Sequence, residues 1–268
     1  MATMAMAVPA ATAATRTGEI ATIVGAECTN MCVVLASGTM IGIPRILVTG
    51  FEPFAGSLLN PTALIVERLA AEGITGATMR AEVLPVVGGV GPGSARARLD
   101  AVLADFQADA AIHFGEAHTR SEFSVERIAI NLRDYRIADN AGVCAEDTPV
   151  IEGAPAAHFA TLPVRAIVDA VRVSGVPAGT SLTAGSYLCN EVMFHSLERS
   201  AATGWPAIAG FIHVPQLEEQ FAVRPNDAQP MSAHDLMIAT RAAIGAVIVH
   251  LRNLPRRTMP DRHRRRLG

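Results

Sequence analysis

Lysine is absent from all 268 residues, so each of the 22 strongly basic side chains is an arginine. That points to a GC-rich coding sequence and carries no functional signal. The formal net charge is −3, which argues against a nucleic-acid-binding body, since such domains present a basic face. Cysteine is scarce, at positions 28, 32, 144 and 189 only. This spacing makes no disulfide framework, and free thiols fit a reducing cytoplasm. Cys28 and Cys32 have no nearby histidine or second cysteine pair, so no zinc site is expected. His118, His158 and His195 show no ligand spacing and read as surface or packing residues. No HExxH or GxSxG stretch occurs, which removes two common hydrolase signatures. The glycine-rich run Gly88–Gly93 lacks a Gly-Lys-Ser/Thr ending, and Pro92 removes an N–H that a phosphate loop needs.

The ends of the chain also lack features. The first basic residue is Arg16, so the charged start of a secretory signal is missing. The apolar stretch from Ile20 to Ile43 is interrupted by Glu27 and Asn30, which makes it a poor membrane span. Residues 1–44 are rich in Ala, Thr and Met with no clear period. They read as a low-complexity, disordered extension or as the product of an upstream start, with Met40 as the alternative start. The basic stretch 255–268 reads as a solvated tail. Between them, residues 45–254 are expected to form one α/β domain, because 50% hydrophobic content is ample for one core.

Within that span, strand and helix signals alternate. Ile46–Thr49 is a short apolar strand. Asn60-Pro61 starts a helix, with Asn at N-cap and Pro at the first helical position, and Leu64, Ile65 and Leu69 point inward. Met79–Val86 and Ala110–Phe114 read as strands, and Ala95–Phe106 as a helix. One further strand is expected over Glu126–Leu132. A helix over Val164–Val173 stops at Gly175 and Pro177. Gly179–Thr183 and Ile208–His213 read as strands, and Asn190–Ala202 as a helix. A last helix begins at Ser232 and presents Met237, Ile244, Ile248 and Leu251 on one side. Such alternation gives a sheet covered by helices on both faces, a three-layer α/β/α arrangement.

Cys189 sits where an apolar strand turns into a helix. The unpaired N–H groups of a first helical turn favour a thiolate. The helix dipole supplies only about 0.3–1 kcal/mol, less than the ~1.36 kcal/mol of one pKa unit. A nearby imidazolium is therefore required, and His213 at a strand end is the candidate. An imidazole in turn needs a partner to fix its tautomer. Glu126, opening the run Glu126–Leu132, is the best placed carboxylate.

These segments resemble the pyroglutamyl peptidase I (pyrrolidone carboxyl peptidase) family of cysteine peptidases. Two more stretches carry the resemblance: Ile46–Gly56 followed by Asn60-Pro61, and Arg136–Asn140. It runs in order from about Arg45 to about Pro215. The resemblance implies a twisted mixed sheet and an enzyme that removes an N-terminal pyroglutamyl residue from peptides. It implies Cys189 as nucleophile, His213 as general base and acid, and Glu126 as third member. Phe51 and Phe54 would flank the pyroglutamyl ring, with Asn60, Glu116 and Arg136 nearby. It implies no metal or organic cofactor, and a homo-oligomer, dimer or tetramer.

Five positions depart from the family pattern. In the stretch Gly115–Arg120, Glu116, His118 and Thr119 stand where the family usually has Gln, Gly and Gly; Ala55 stands where it has Gly, and Ala138 where it has Pro. Pyroglutamate is a neutral lactam, so an ionised Glu116 would weaken rejection of a charged N-terminus, whereas burial would favour its protonated form. A related amide or lactam hydrolase with an altered pocket, and a non-catalytic small-molecule-binding homologue, are the alternative readings.

Overall fold

The computed structural model describes residues 42–254. The expected extension up to residue 41, with Cys28 and Cys32, and the tail from 255 lie outside the described residues. The strands are β1 (Arg45–Phe51), β2 (Thr78–Leu84), β3 (Ala110–Glu116), β4 (Phe123–Glu126), β5 (Ile128–Ile130), β6 (Ala157–Phe159), β7 (Ala178–Ser181) and β8 (Ile208–Val214). The helices are α1 (Pro61–Glu72), α2 (Ala95–Phe106), α3 (Val164–Val173), α4 (Leu188–Thr203), α5 (Glu218–Val223) and α6 (Ala233–Asn253).

Six strands form one sheet in the order β2-β1-β3-β8-β4-β7. The first four run parallel; β4 is antiparallel to β8 and parallel to β7. The sheet is mixed, as the resemblance implies. Strand residues alternate between its faces. Ile46, Val48, Ile112, Phe114 and Ile212 join the core beneath α1, α3 and α6, while Leu47, Ala111, Ala209 and Phe211 join the core beneath α2 and α4. Both faces of the central strands are buried, which explains why β1, β3 and β8 read as continuous apolar runs. Phe114, Phe123, Phe194 and Phe211 are fully buried, each worth about 1.5–3 kcal/mol of burial.

α1 starts as its sequence dictates: Asn60 Oδ1 accepts from Thr62 N at 2.9 Å and Pro61 opens the helix. Ile65 and Leu69 are buried, as is Val66, while Leu64 is only partly so. α6 is capped by Ser232 Oγ, which accepts from Asp235 N at 3.0 Å. Its length and composition would suit a membrane span, but Leu236, Ile244, Val247, Ile248 and Leu251 are buried in the core shared with α3 and α1.

The expected strand Glu126–Leu132 is divided. Glu126 ends β4 in the large sheet, and Ile128 opens β5, which pairs with β6 as a separate two-stranded ribbon. Asn190 on α4 holds that ribbon: its Oδ1 accepts from Ile130 N at 2.9 Å and its Nδ2 donates to Ile130 O at 2.8 Å. Glu126 thus closes one strand and does not open another.

Candidate active site

Cys189, His213 and Glu126 come from three elements that meet at one end of the sheet. His213 is the penultimate residue of β8, and its register partner on β3 is Gly115. A Cβ at Gly115 would lie 2.9 Å from Cys189 Sγ and 2.6 Å from Phe211 Cζ. Only glycine leaves room there for the thiol beside the strand. Cys189 occupies the first turn of α4, whose N-cap residue Tyr187 makes no side-chain capping bond. The orphan N–H groups of that turn are therefore not taken by a cap.

His213 Nδ1 bonds Glu126 Oε1 at 2.7 Å, and Glu126 is fully buried. A carboxylate accepts, so Nδ1 carries the proton and Nε2 is left as the base. The same Oε1 accepts from Arg120 Nη1 at 2.6 Å, and Arg120 Nη2 donates to Thr183 O at 3.0 Å. Arg120 thereby ties the carboxylate to the segment that leads into Cys189. Glu126 Oε2 is buried with no partner among the described residues.

In the sequence, Arg120 stands out only as the last residue of the stretch Gly115–Arg120. Its part here was not legible, because nothing in spacing says which of many arginines meets a buried acid.

The electrostatics differ from the sequence expectation. Burial, reinforced by the Glu126 charge, pushes the Cys189 thiol up to about 12. Burial also holds His213 below the usual histidine range, against the opposing pull of Glu126. The favoured resting form is therefore a neutral thiol with a neutral imidazole. The helix terminus and Arg120 work the other way and are outweighed.

Cys189 and His213 open onto a cavity of about 540 Å³. All five expected substrate-binding residues, Phe51, Phe54, Asn60, Glu116 and Arg136, line it; Glu126 lies behind His213. Phe51 packs toward Phe211 with ring centroids 6.4 Å apart, and Phe54 toward Tyr187 at 6.3 Å. Asn60 lines the wall, but its Oδ1 caps α1 and its Nδ2 donates to Glu52 O at 3.0 Å. Its polar atoms are engaged in holding the Phe54 loop. Arg136 is exposed on the wall.

His118 and Thr119 also stand at the cavity rim, where spacing had suggested only a surface or packing role for His118. His158 and His195 bond Glu198 and Asp100 at 2.6 and 2.9 Å, outside the cavity lining. Cys144 is exposed and not part of the lining. The glycine-rich loop is used internally: Gly88 N donates to Asp139 Oδ2 at 2.9 Å and Gly89 N to Glu191 Oε1 at 2.7 Å. Two protein carboxylates occupy the N–H groups that a phosphate would need.

A half-open apolar cavity, a helix-start cysteine and a carboxylate-held imidazole on an α/β/α sheet have the makeup of a thiol-dependent hydrolase site. The chain belongs to the pyroglutamyl peptidase family, whose profile matches residues 44–250. It is 42% identical to the pyrrolidone-carboxylate peptidase of Pyrococcus furiosus over 210 residues, 77% of this chain and 99% of that one. Pyrrolidone-carboxylate peptidase 1 of Ralstonia nicotianae is 44% identical over 197 residues, 74% of this chain and 89% of its own. A crystal structure of the Pyrococcus furiosus pyrrolidone carboxyl peptidase superposes with a TM-score of 0.73, covering 77% of this chain and 99% of that chain.

Proposed function

We propose that this protein is a cysteine exopeptidase that hydrolyses the N-terminal pyroglutamyl residue from peptides, through Cys189, His213 and Glu126. The observation that carries the reading is the buried 2.7 Å contact between His213 Nδ1 and Glu126 Oε1, which leaves the other imidazole nitrogen as a base in the cavity that holds Cys189. The neutral resting pair makes proton transfer part of the attack. His213 Nε2 takes the thiol proton as Sγ bonds the scissile carbonyl carbon. The oxyanion is stabilised by uncapped N–H groups at the start of α4. The C–N bond then breaks, and His213 returns the proton to the leaving amine. Water, deprotonated by His213, attacks the thioester, and pyroglutamate leaves with the thiol restored.

Phe51 and Phe54 supply an apolar enclosure for the five-membered lactam, which needs no counter-ion. Residues 45–254 are the peptidase domain in this reading, and Asn60 and Arg136 complete the substrate wall. Family membership supports a dimer or tetramer, which light scattering on purified protein would measure. The thiol chemistry supports a cytoplasmic location, where Cys189 stays reduced. The test of the reaction is mass spectrometry of a pyroglutamyl peptide and of the same peptide begun with glutamine. Loss of the first residue from the blocked peptide alone is expected. Equal trimming of both would sink the assignment.

A further inference from the structure

Glu116 ends β3 and lines the cavity. Its Oε2 accepts from Gln220 Nε2 at 3.0 Å, while no described residue bonds its Oε1. Gln220 is only 6% exposed and is itself fixed. Its Oε1 accepts from Leu217 N at 3.0 Å, and its Nε2 also donates to Leu59 O at 3.1 Å. The carboxyl is thus anchored through one oxygen, and the other remains for a ligand.

We propose that Glu116 is a specificity-determining residue whose ionisation admits a second substrate class, peptides that begin with proline. This rests on the peptidase reading above. Prolyl and pyroglutamyl residues share a five-membered ring, so the Phe51 and Phe54 enclosure fits both. They differ in charge: the lactam is neutral, and the prolyl nitrogen is a secondary ammonium. Moving that ammonium into an apolar cavity is costly without an anionic partner. Ionised Oε1 is such a partner and would accept a charge-assisted bond. Protonated Oε1 instead donates to the lactam carbonyl and offers the ammonium nothing.

Burial raises the Glu116 carboxyl above its ordinary range, while Gln220 and the Arg224 guanidinium oppose that shift. The other titratable groups lining the cavity are His118, Arg120, Asp134, Arg136, Tyr187, Cys189 and His213; the Asp134 carboxylate is common to wild type and the Glu116→Gln variant, so the comparison of the two isolates Glu116. Because the carboxyl is raised, it loses its proton as pH climbs beyond the usual carboxylate range, and prolyl selectivity rises with it. The bond cleaved and the water consumed are those of the pyroglutamyl reaction, so no further reactant is needed.

The test is kcat/KM for pyroglutamyl- and prolyl-aminomethylcoumarin between about pH 5 and about pH 9, for wild type and Glu116→Gln, with Cys189→Ser as blank. Each ratio comes from one protein sample, so it does not depend on the folded fraction, and the variant corrects for titration of the prolyl amine. The prolyl-to-pyroglutamyl ratio of wild type is expected to rise with pH to at least about tenfold above that of Glu116→Gln, a difference of ~1.4 kcal/mol. Parallel ratios at every pH would overturn the proposal. So would pyroglutamyl turnover with no Cys189-dependent prolyl release at any pH. Absence of pyroglutamyl turnover would overturn the peptidase reading and this inference together.

Discussion

Burial keeps the Cys189 thiol protonated near neutrality, pushed up to about 12, and keeps His213 neutral below the usual histidine range. Two pH effects follow. Alkylation of Cys189 by iodoacetamide in free enzyme should climb about tenfold per pH unit from about pH 6 to about pH 9, as the thiolate fraction does. A rate already level across that range would show a resting thiolate–imidazolium pair instead. The depressed His213 value leaves its base form present below about pH 6.5, so the acid limb of kcat/KM should fall at lower pH than for an ordinary histidine. Glu126→Gln keeps the shape but removes the charge that, in the proposed reaction, stabilises the imidazolium formed during attack. Its kcat should drop on the order of 10²–10⁴-fold, read by steady-state kinetics at constant folded fraction. Cys189, His213 and Glu126 were legible as a joint motif. The charge state of the thiol was not, because a helix start and a histidine in sequence do not reveal how closely the packed surroundings and the Glu126 charge bear on the sulfur.

Elements set the geometry on which those residues depend. Arg120 links the end of β4 to the segment before α4 through Glu126 and Thr183. Arg120→Met should destabilise the fold by about 2–3 kcal/mol, because it strands a buried carboxylate, and lower kcat along with it. Denaturant midpoints and turnover measured together would check both. The loop between β1 and α1 carries Phe54, and its next residue, Ala55, lies at φ 50°. A Cβ is disfavoured there and glycine is not. Ala55→Gly should therefore stabilise the protein by about 1 kcal/mol, seen as a higher thermal midpoint. The start of α1 was legible because Asn60-Pro61 is a local capping signal, and the structure uses it in full. The break between β4 and β5 was not, because an apolar alternating run does not say which sheet each half joins. The six-residue helix α5, which supplies Gln220, carries too few turns to show a period.

At the scale of the whole molecule, two cores on opposite faces of one mixed sheet fix where the strands end. The cavity opens at those ends, drawing on β1, β3, β8 and α4. This layering was legible from alternating strand and helix signals, since each element must bury one face. The strand order and the antiparallel placement of β4 were not, because pairing between distant segments leaves no local mark. All cavity-lining residues lie between Phe51 and His213, and the family match begins at residue 44. A chain begun at Met40 should therefore retain the activity of the full chain in a side-by-side assay. Coumarin release from pyroglutamyl-aminomethylcoumarin, measured for wild type and Cys189→Ser at equal concentration, decides whether the proposed reaction occurs and whether Cys189 carries it. Release by wild type, reduced on the order of 10³-fold or more in the variant, is the predicted result. Comparable release by both, or none by wild type, would contradict it.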